Sequence, residues 1–234
     1  GVNHLEGHIY SAWLHPAENA PGPEPKFPLI ALLVSGGHTE LILMRDHLQY
    51  QRLGGTVDDA AGEAFDKVAR LLDLPYPGGP SIQKAGMEGN PKAFNFPKAR
   101  LSEPYNFSFS GIKTAVLRTV EEFKSNKKEL PVADLAASFQ AAVVGALFEK
   151  TMAAAEEFKA REIIVAGGVS ANKPLREAFR SQTSYRVHIP ALSLCTDNAA
   201  MIAVEKKSHL DARQVDALDF DVLPNWPLVK KKKK

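Results

Sequence analysis

A single cysteine, Cys195, stands among the 234 residues. One thiol closes no intramolecular disulfide, so no disulfide framework holds this fold, and a reducing compartment such as the cytoplasm is its natural setting. Long apolar runs are missing too: none approaches the roughly 18 to 20 residues that span a bilayer, so no membrane partner is expected. There is no signal peptide. The first residue is not Met, and the sequence starts inside what reads as an amphipathic helix, which points to a fragment or a processed chain. Charge of one sign is also scarce. A formal net charge of +2 is too small to argue for nucleic acid by itself. Part of it comes from the terminal VKKKK, read as a solvated tail or expression scar, with a grip on phosphates as the alternative.

What is present is ordinary in proportion: 44% hydrophobic and 24% charged residues match a soluble globular protein of one large or two small domains. Residues 1–14 read as a helix ending near His15-Pro16, and PAENAPGPEPK as a loop between two lobes. FPLIALLVSGGHTELILMRD has the pattern of a β-hairpin: two apolar runs about a Gly-Gly turn. Helices are expected over DDAAGEAFDKVARLLDL, from Gly111 onward, and from Pro131 to Lys159. PYPGGP ends the first of these. REIIVAGGVSANKPLREAFRSQ reads as strand, loop and helix, YRVHIP as a short strand, and CTDNAAMIAVEKKSHL as a helix capped by Thr196 or Asp197. Alternating strands and helices make this half an α/β lobe.

His4 and His8 carry the first chemical signal. On a helix they are four residues and roughly 40° apart, so both rings reach one ion from one face. In the protease pattern H-E-x-x-H the general base follows the first histidine directly. Here that position is Leu5, while Glu6 lies about 200° round from His4 and points away. The pair is read as a metal site without a hydrolytic base, or as packing near a helix start. Asp197 could complete a His-His-Asp set suited to zinc or iron, or serve only as an N-cap.

Glycines supply the second signal. In LLVSGGHTEL, Gly36 and Gly37 sit at a turn whose N–H groups could meet an anion, with Ser35 and Thr39 as hydroxyl donors. A plain hairpin turn gives the same pattern. In IIVAGGVSANKPLREAF, a strand runs into Gly167-Gly168 and Asn172 precedes a helix with Pro174 in its first turn. A nucleotide could lie over such glycines beside the helix N-terminus, though they also serve a tight strand-to-helix turn. The acids of DDAAGEAFDK, Asp66 among them, are a solvated face or a grip on sugar hydroxyls. Cys195 is read as a small buried residue with no role.

In order along the chain, NHLEGH, LLVSGGHTEL, DDAAGEAFDKVARLL, YPGGP, NFSFSGIKTAV, AGGVSAN and CTDNAAMIA resemble the TsaD family. Its members are tRNA adenosine threonylcarbamoyltransferases, formerly described as O-sialoglycoprotein endopeptidases. The resemblance runs from Gly1 to about His209. It implies the actin/Hsp70/sugar-kinase (ASKHA) fold, here a second lobe at 27–224 with a helical insertion near 56–130. Residues 1–26 would be a metal-binding helix and linker from the end of a first lobe, and 225–234 a basic tail. The family's first lobe carries an ETSCDET-like motif that this sequence lacks, so the first lobe is expected to be largely absent and the cleft half built.

The resemblance implies one divalent ion, Fe(2+) or Zn(2+), on His4, His8 and Asp197. It implies transfer of a threonylcarbamoyl group from threonylcarbamoyl-AMP to N6 of adenosine 37, in tRNAs reading codons that begin with A. Leu33, Val34, Ser35, Gly36 and Gly37 would line the phosphate and carbamoyl region. Asp66 and Gly79 would meet the ribose side, Asn172 the adenylate, and Lys113 tRNA or a partner. The implied partners are ATP or the adenylate, tRNA, a TsaB-type paralogous subunit and a TsaE-type ATPase if the chain is bacterial, as LPYPGGP and NFSFSG suggest. A catalytically idle nucleotide-binding scaffold and a metallopeptidase are the competing readings.

Overall fold

The computed structural model describes residues 1–15, 22–214, 216, 217, 221, 223 and 226–229. At its centre is β1 (Leu29–Val34), in a five-stranded sheet ordered β3-β2-β1-β4-β5. β2 (Thr39–Asp46) pairs antiparallel with β1, and β3 (Gln49–Gly55) antiparallel with β2. β4 (Glu162–Ala166) lies parallel to β1, and β5 (Arg186–His188) parallel to β4.

LIALLV is apolar at every position because both faces of this central strand are covered; all six residues are buried. Alternate side chains serve opposite faces. Ile30, Leu32 and Val34 join a large core with Phe65, Phe139 and Phe179, while Leu29 and Ala31 meet Ile9 and Ala12.

The large core is closed by α2 (Ala61–Leu71), α3 (Gly78–Ala85), α4 (Ser110–Ser125), α5 (Val132–Glu157) and α6 (Lys173–Ser181). By length and composition α5 could cross a membrane, which the sequence reading did not foresee. Here it is a core helix: Leu135, Phe139, Val143 and Leu147 are fully buried, and α3 and α6 pack on it. On the other face of the sheet lies α1 (His4–Tyr10), continued by a 3-10 turn, Ser11–Trp13. α7 (Leu192–Cys195) and α8 (Ala199–Asp211) complete the chain, and α8 packs along α1.

Four local points need correction. PYPGGP does more than end a helix: Gly78, Gly79 and Pro80 open α3. Strand β3 follows the hairpin as an edge strand, exposed or half-buried up to Leu53 and buried only at Gly54 and Gly55. The cap of α8 is Asn198, whose Oδ1 accepts from Met201 N at 2.9 Å, which leaves the Asp197 carboxylate free of that duty. Asp58, read within a solvated acidic face, instead caps α4 from a distance. Its carboxylate accepts from Phe109 N at 2.9 Å and from Ser108 and Ser110 hydroxyls at 2.5 and 2.6 Å. Of the expected linker, residues 16–21 lie outside the described residues, as do 225 and Lys230 to Lys234 of the expected tail, and 215, 218–220, 222 and 224 near the end of the expected second lobe.

Candidate metal centre and ligand cleft

Asn3 starts α1: its Oδ1 accepts from Leu5 N at 2.9 Å and Glu6 N at 3.4 Å. The helix then presents His4 and His8 one turn apart, their rings edge to face with centroids 4.7 Å apart. Asp197, in the bend between α7 and α8, meets both. Its Oδ1 is 3.5 Å from His4 Nε2 and 3.2 Å from His8 Nε2. One donor atom from each residue lies within 4.8 Å of the others.

The donor set fits a divalent ion of the zinc or iron type: two imidazole nitrogens and one carboxylate oxygen, with room for a further ligand. His8 is 2% exposed, whereas the side chains of His4 and Asp197 are 52% and 76% exposed, so the triad opens to one side. Burial, followed by the neighbouring His4, holds the His8 pKa below its usual value, against the pull of Asp197. A neutral imidazole keeps the lone pair that a metal needs. His8 Nδ1 is buried without a hydrogen-bond partner among the described residues. Glu6 faces away as its position on the helix requires. It accepts from the Tyr50 hydroxyl and contacts His209 Nε2 at 3.1 Å, so Glu6 does not stand beside the histidines as a base for peptide hydrolysis.

A cleft of about 240 Å³ opens beside the β1–β2 turn, lined by Gly36, Asp66, Gly79, Gly168 and Asn172 among others. Three helix N-termini meet it: Gly62 from α2, Gly79 and Pro80 from α3, and Asn172 at the start of α6. The aligned peptide dipoles make each such end attractive to an anion, although several first-turn N–H groups are already engaged: Gly62 by Ser35 O, Gly78 by Asp66, and Lys173 and Leu175 by Gln83 and Asn172. Close approach explains two of the glycines. A Cβ on Gly62 would meet Gly36 Cα and Ser35 O, both at 2.7 Å. Gly167 has φ +94° and would place a Cβ 2.5 Å from Val34 O, a position only glycine takes without strain.

A family model for TsaD, tRNA N6-adenosine threonylcarbamoyltransferase, matches residues 1–204. The chain belongs to the TsaD family. The family's activity is acyl transfer, forming the threonylcarbamoyl modification on N6 of adenosine in tRNA. Proteins of that name from Thermomicrobium roseum, Crocosphaera subtropica and a Synechococcus species are 52%, 49% and 50% identical to it. The alignments cover 97%, 97% and 95% of this chain, and 68%, 67% and 60% of those proteins. The chain therefore spans about two thirds of the length of these relatives. Among solved structures, full-length HypF in a phosphate- and nucleotide-bound form superposes with TM-score 0.63 over 90% of this chain and 35% of that one, at 14% identity. The HypF of T. kodakarensis gives 0.52 over 66% of this chain and 20% of that one, at 18% identity. At such identity the likeness concerns the fold alone, that of an ASKHA-like lobe.

Of the residues that the TsaD resemblance assigned, His4, His8 and Asp197 come together, and Gly36, Asp66, Gly79 and Asn172 line one cleft. Leu33 and Val34 do not reach it with their side chains, which are fully buried in β1; only their backbone could face a ligand. Ser35 closes the turn, its Oγ accepting from His38 N at 3.2 Å. Gly37 is exposed with nothing near it and does not line the cleft. Asp66 Oδ1 accepts from Gly78 N at 2.7 Å, which leaves Oδ2 for a ligand. Asn172 caps α6 through Leu175 N and donates to Gln140 Oε1 at 2.7 Å. Lys113 is 3.5 Å from Asp59, which also holds Lys67 at 2.7 Å.

Several TsaD residues at this site escaped the sequence reading. His38 lines a hollow with His4 and adds to the downward shift of His8; its place in the quoted SGGHTE turn was the available signal. Gly62, inside the quoted DDAAGEAFDK motif, and Gln83, outside every quoted motif, also line the cleft. Glu205 and His209, four apart on α8, meet Glu6 behind α1; the i,i+4 spacing could have shown them.

Proposed function

We propose that this chain supplies the acyl-transfer site for threonylcarbamoyl-AMP, moving its threonylcarbamoyl group to N6 of adenosine 37 in tRNAs that read codons beginning with A. The observations that carry this reading are the convergence of His4, His8 and Asp197 and a cleft lined by three helix N-termini, with His38 of the β1–β2 turn sharing a hollow with His4 and Gly36 of the same turn lining the cleft. In the reaction N6 bonds to the carbamoyl carbon, the carbon–oxygen bond to phosphate breaks, AMP leaves with the electron pair, and the N6 proton passes to the departing phosphate or to water.

The residues divide the work. The ends of α2, α3 and α6 attract the adenylate phosphate, and the side-chain-free Gly36 and Gly168 let the nucleotide lie close to the backbone. Asp66 accepts from a ribose hydroxyl through the oxygen that Gly78 leaves free. His4, His8 and Asp197 would hold one Fe(2+) or Zn(2+), which when bound would supply a Lewis acid for the carbamoyl group. Fixed donors and fixed geometry, rather than a proton-abstracting side chain, then lower the barrier.

Residues 27–224 act in this scheme as the second lobe of a cleft, with residues 1–26 bringing the metal-binding helix. A first lobe, a TsaB-type subunit and a TsaE-type ATPase are the partners that the family reading adds, in the cytoplasm. The test is direct: unmodified tRNA, threonylcarbamoyl-AMP and the chain with those partners, followed by nucleoside mass spectrometry. Threonylcarbamoyladenosine is expected with the wild-type chain and lost with Asp197→Ala. Equal product from both would refute the assignment of the metal centre.

A further inference from the structure

Behind α1, facing away from the histidine pair, lies a second convergence of ligand atoms. Glu6 from α1 and Glu205 with His209 from α8 each bring one donor atom within 4.8 Å of the other two. Four residues apart, Glu205 and His209 project from one face of α8. His209 Nε2 is 3.1 Å from Glu6 Oε2 and 2.9 Å from Glu205 Oε1. A ring nitrogen carries only one hydrogen, and its hydrogen-bond geometry serves Glu6. Glu205 is 0% exposed, and neither of its carboxylate oxygens has a hydrogen-bond partner among the described residues. A buried charged carboxylate without donors, set beside a second carboxylate, is costly unless it takes up a proton or a positive charge sits between them.

We propose that Glu6, Glu205 and His209 form a second divalent-cation site, of the zinc or manganese type, which ties α1 to α8 behind the histidine pair. Two carboxylates and one imidazole are a donor mix that such ions accept. A tetrahedral ion with bonds of about 2.1 Å spaces its ligand atoms about 3.4 Å apart. The observed 2.9 and 3.1 Å are a few tenths short of this, within reach of side-chain rotation. The Tyr50 hydroxyl bonds the other side of Glu6, the kind of support that orients a ligating carboxylate. Such an ion would brace, from behind, the helix that carries His4 and His8 against the helix that follows Asp197. The site stands independently of the proposed acyl transfer.

The experiment is equilibrium dialysis of the full chain against Zn(2+), with bound metal counted by mass spectrometry. Three chains are compared: wild type, the double variant Glu205→Gln with His209→Gln, and the double variant His8→Ala with Asp197→Ala. Two ions are expected in wild type and one in each variant. One ion retained in the His8, Asp197 variant supports the rear site even where wild type also holds one. A single ion in wild type that disappears with His8 and Asp197 overturns the proposal. Wild-type content in the folded Glu205, His209 variant overturns it as well. Should that variant misfold, the other two chains decide the matter.

Discussion

His8 Nε2 lies 3.2 Å from Asp197 Oδ1, although the two residues stand near opposite ends of the chain. The contact follows from how α1 and α8 pack along each other, and it makes each residue accountable for the other's metal. Removing either ligand from a three-ligand set costs affinity of at least about tenfold. Asp197→Ala should therefore lose metal while its circular dichroism stays that of the wild type, since Asp197 caps no helix. His4→Ala and His8→Ala should each weaken binding by a similar factor. Competition against a chromophoric chelator measures all three. Equal affinity across the set would make the triad a packing feature.

Gly62 lets α2 approach the β1–β2 turn. In Gly62→Ala the new Cβ would meet Gly36 Cα and Ser35 O at 2.7 Å, both backbone atoms that cannot swing aside. Overpacking of this kind costs about 1–3 kcal/mol. The urea midpoint should fall accordingly, and an unchanged midpoint would show that the turn yields freely.

Asp58→Ala should destabilise the chain by about 1 kcal/mol, the usual cost of losing a helix cap. Burial alone would raise the Asp58 pKa. Hydrogen bonds from Ser108, Ser110 and the Phe109 and Ser110 backbone outweigh it and hold the pKa below the ordinary 3.8. A lowered folded pKa means stability present above the unfolded value and lost as pH falls through the folded one. Acid denaturation curves of wild type and Asp58→Asn should accordingly converge below about pH 4. Parallel curves down to pH 2 would remove the carboxylate from the account.

Glu205 has the opposite sign. Burial first, then the Glu6 charge, push its pKa up to about 7 from 4.5. A raised carboxylate favours the folded state at low pH and withdraws that support as pH rises through the folded pKa. Metal-free wild type should lose stability between pH 4.5 and about 7, and Glu205→Gln should flatten that loss. A Gln variant with the wild-type slope would locate the titration elsewhere.

Where sequence spoke plainly, one strong pattern coincided with one structural demand. LIALLV, read as an arm of a hairpin, is a strand, and His4 and His8, read as sharing a helix face, do share one. What it hid depended on partners far away in the chain. β3 is an edge strand, so QYQRLGG has little apolar patterning to read. Gly78 and Gly79 look like a helix stop, yet Pro80 fits the first turn of a new helix. Leu33 and Val34 belong to the right segment, but the strand turns their side chains into the core. Asp58 looked solvated because its capping targets, Ser108, Phe109 and Ser110, lie some fifty residues on.

The central claim is that the histidine–aspartate centre and the glycine-lined cleft serve one ligand. Calorimetric titration of a non-hydrolysable threonylcarbamoyl-adenylate analogue into metal-loaded wild type, metal-stripped wild type and Asp197→Ala tests it most directly. The account predicts binding to the metal-loaded chain that weakens at least about tenfold in the other two, as the loss of a ligand-holding group demands. Equal affinity in all three would contradict it, since the metal centre and the cleft would then act apart.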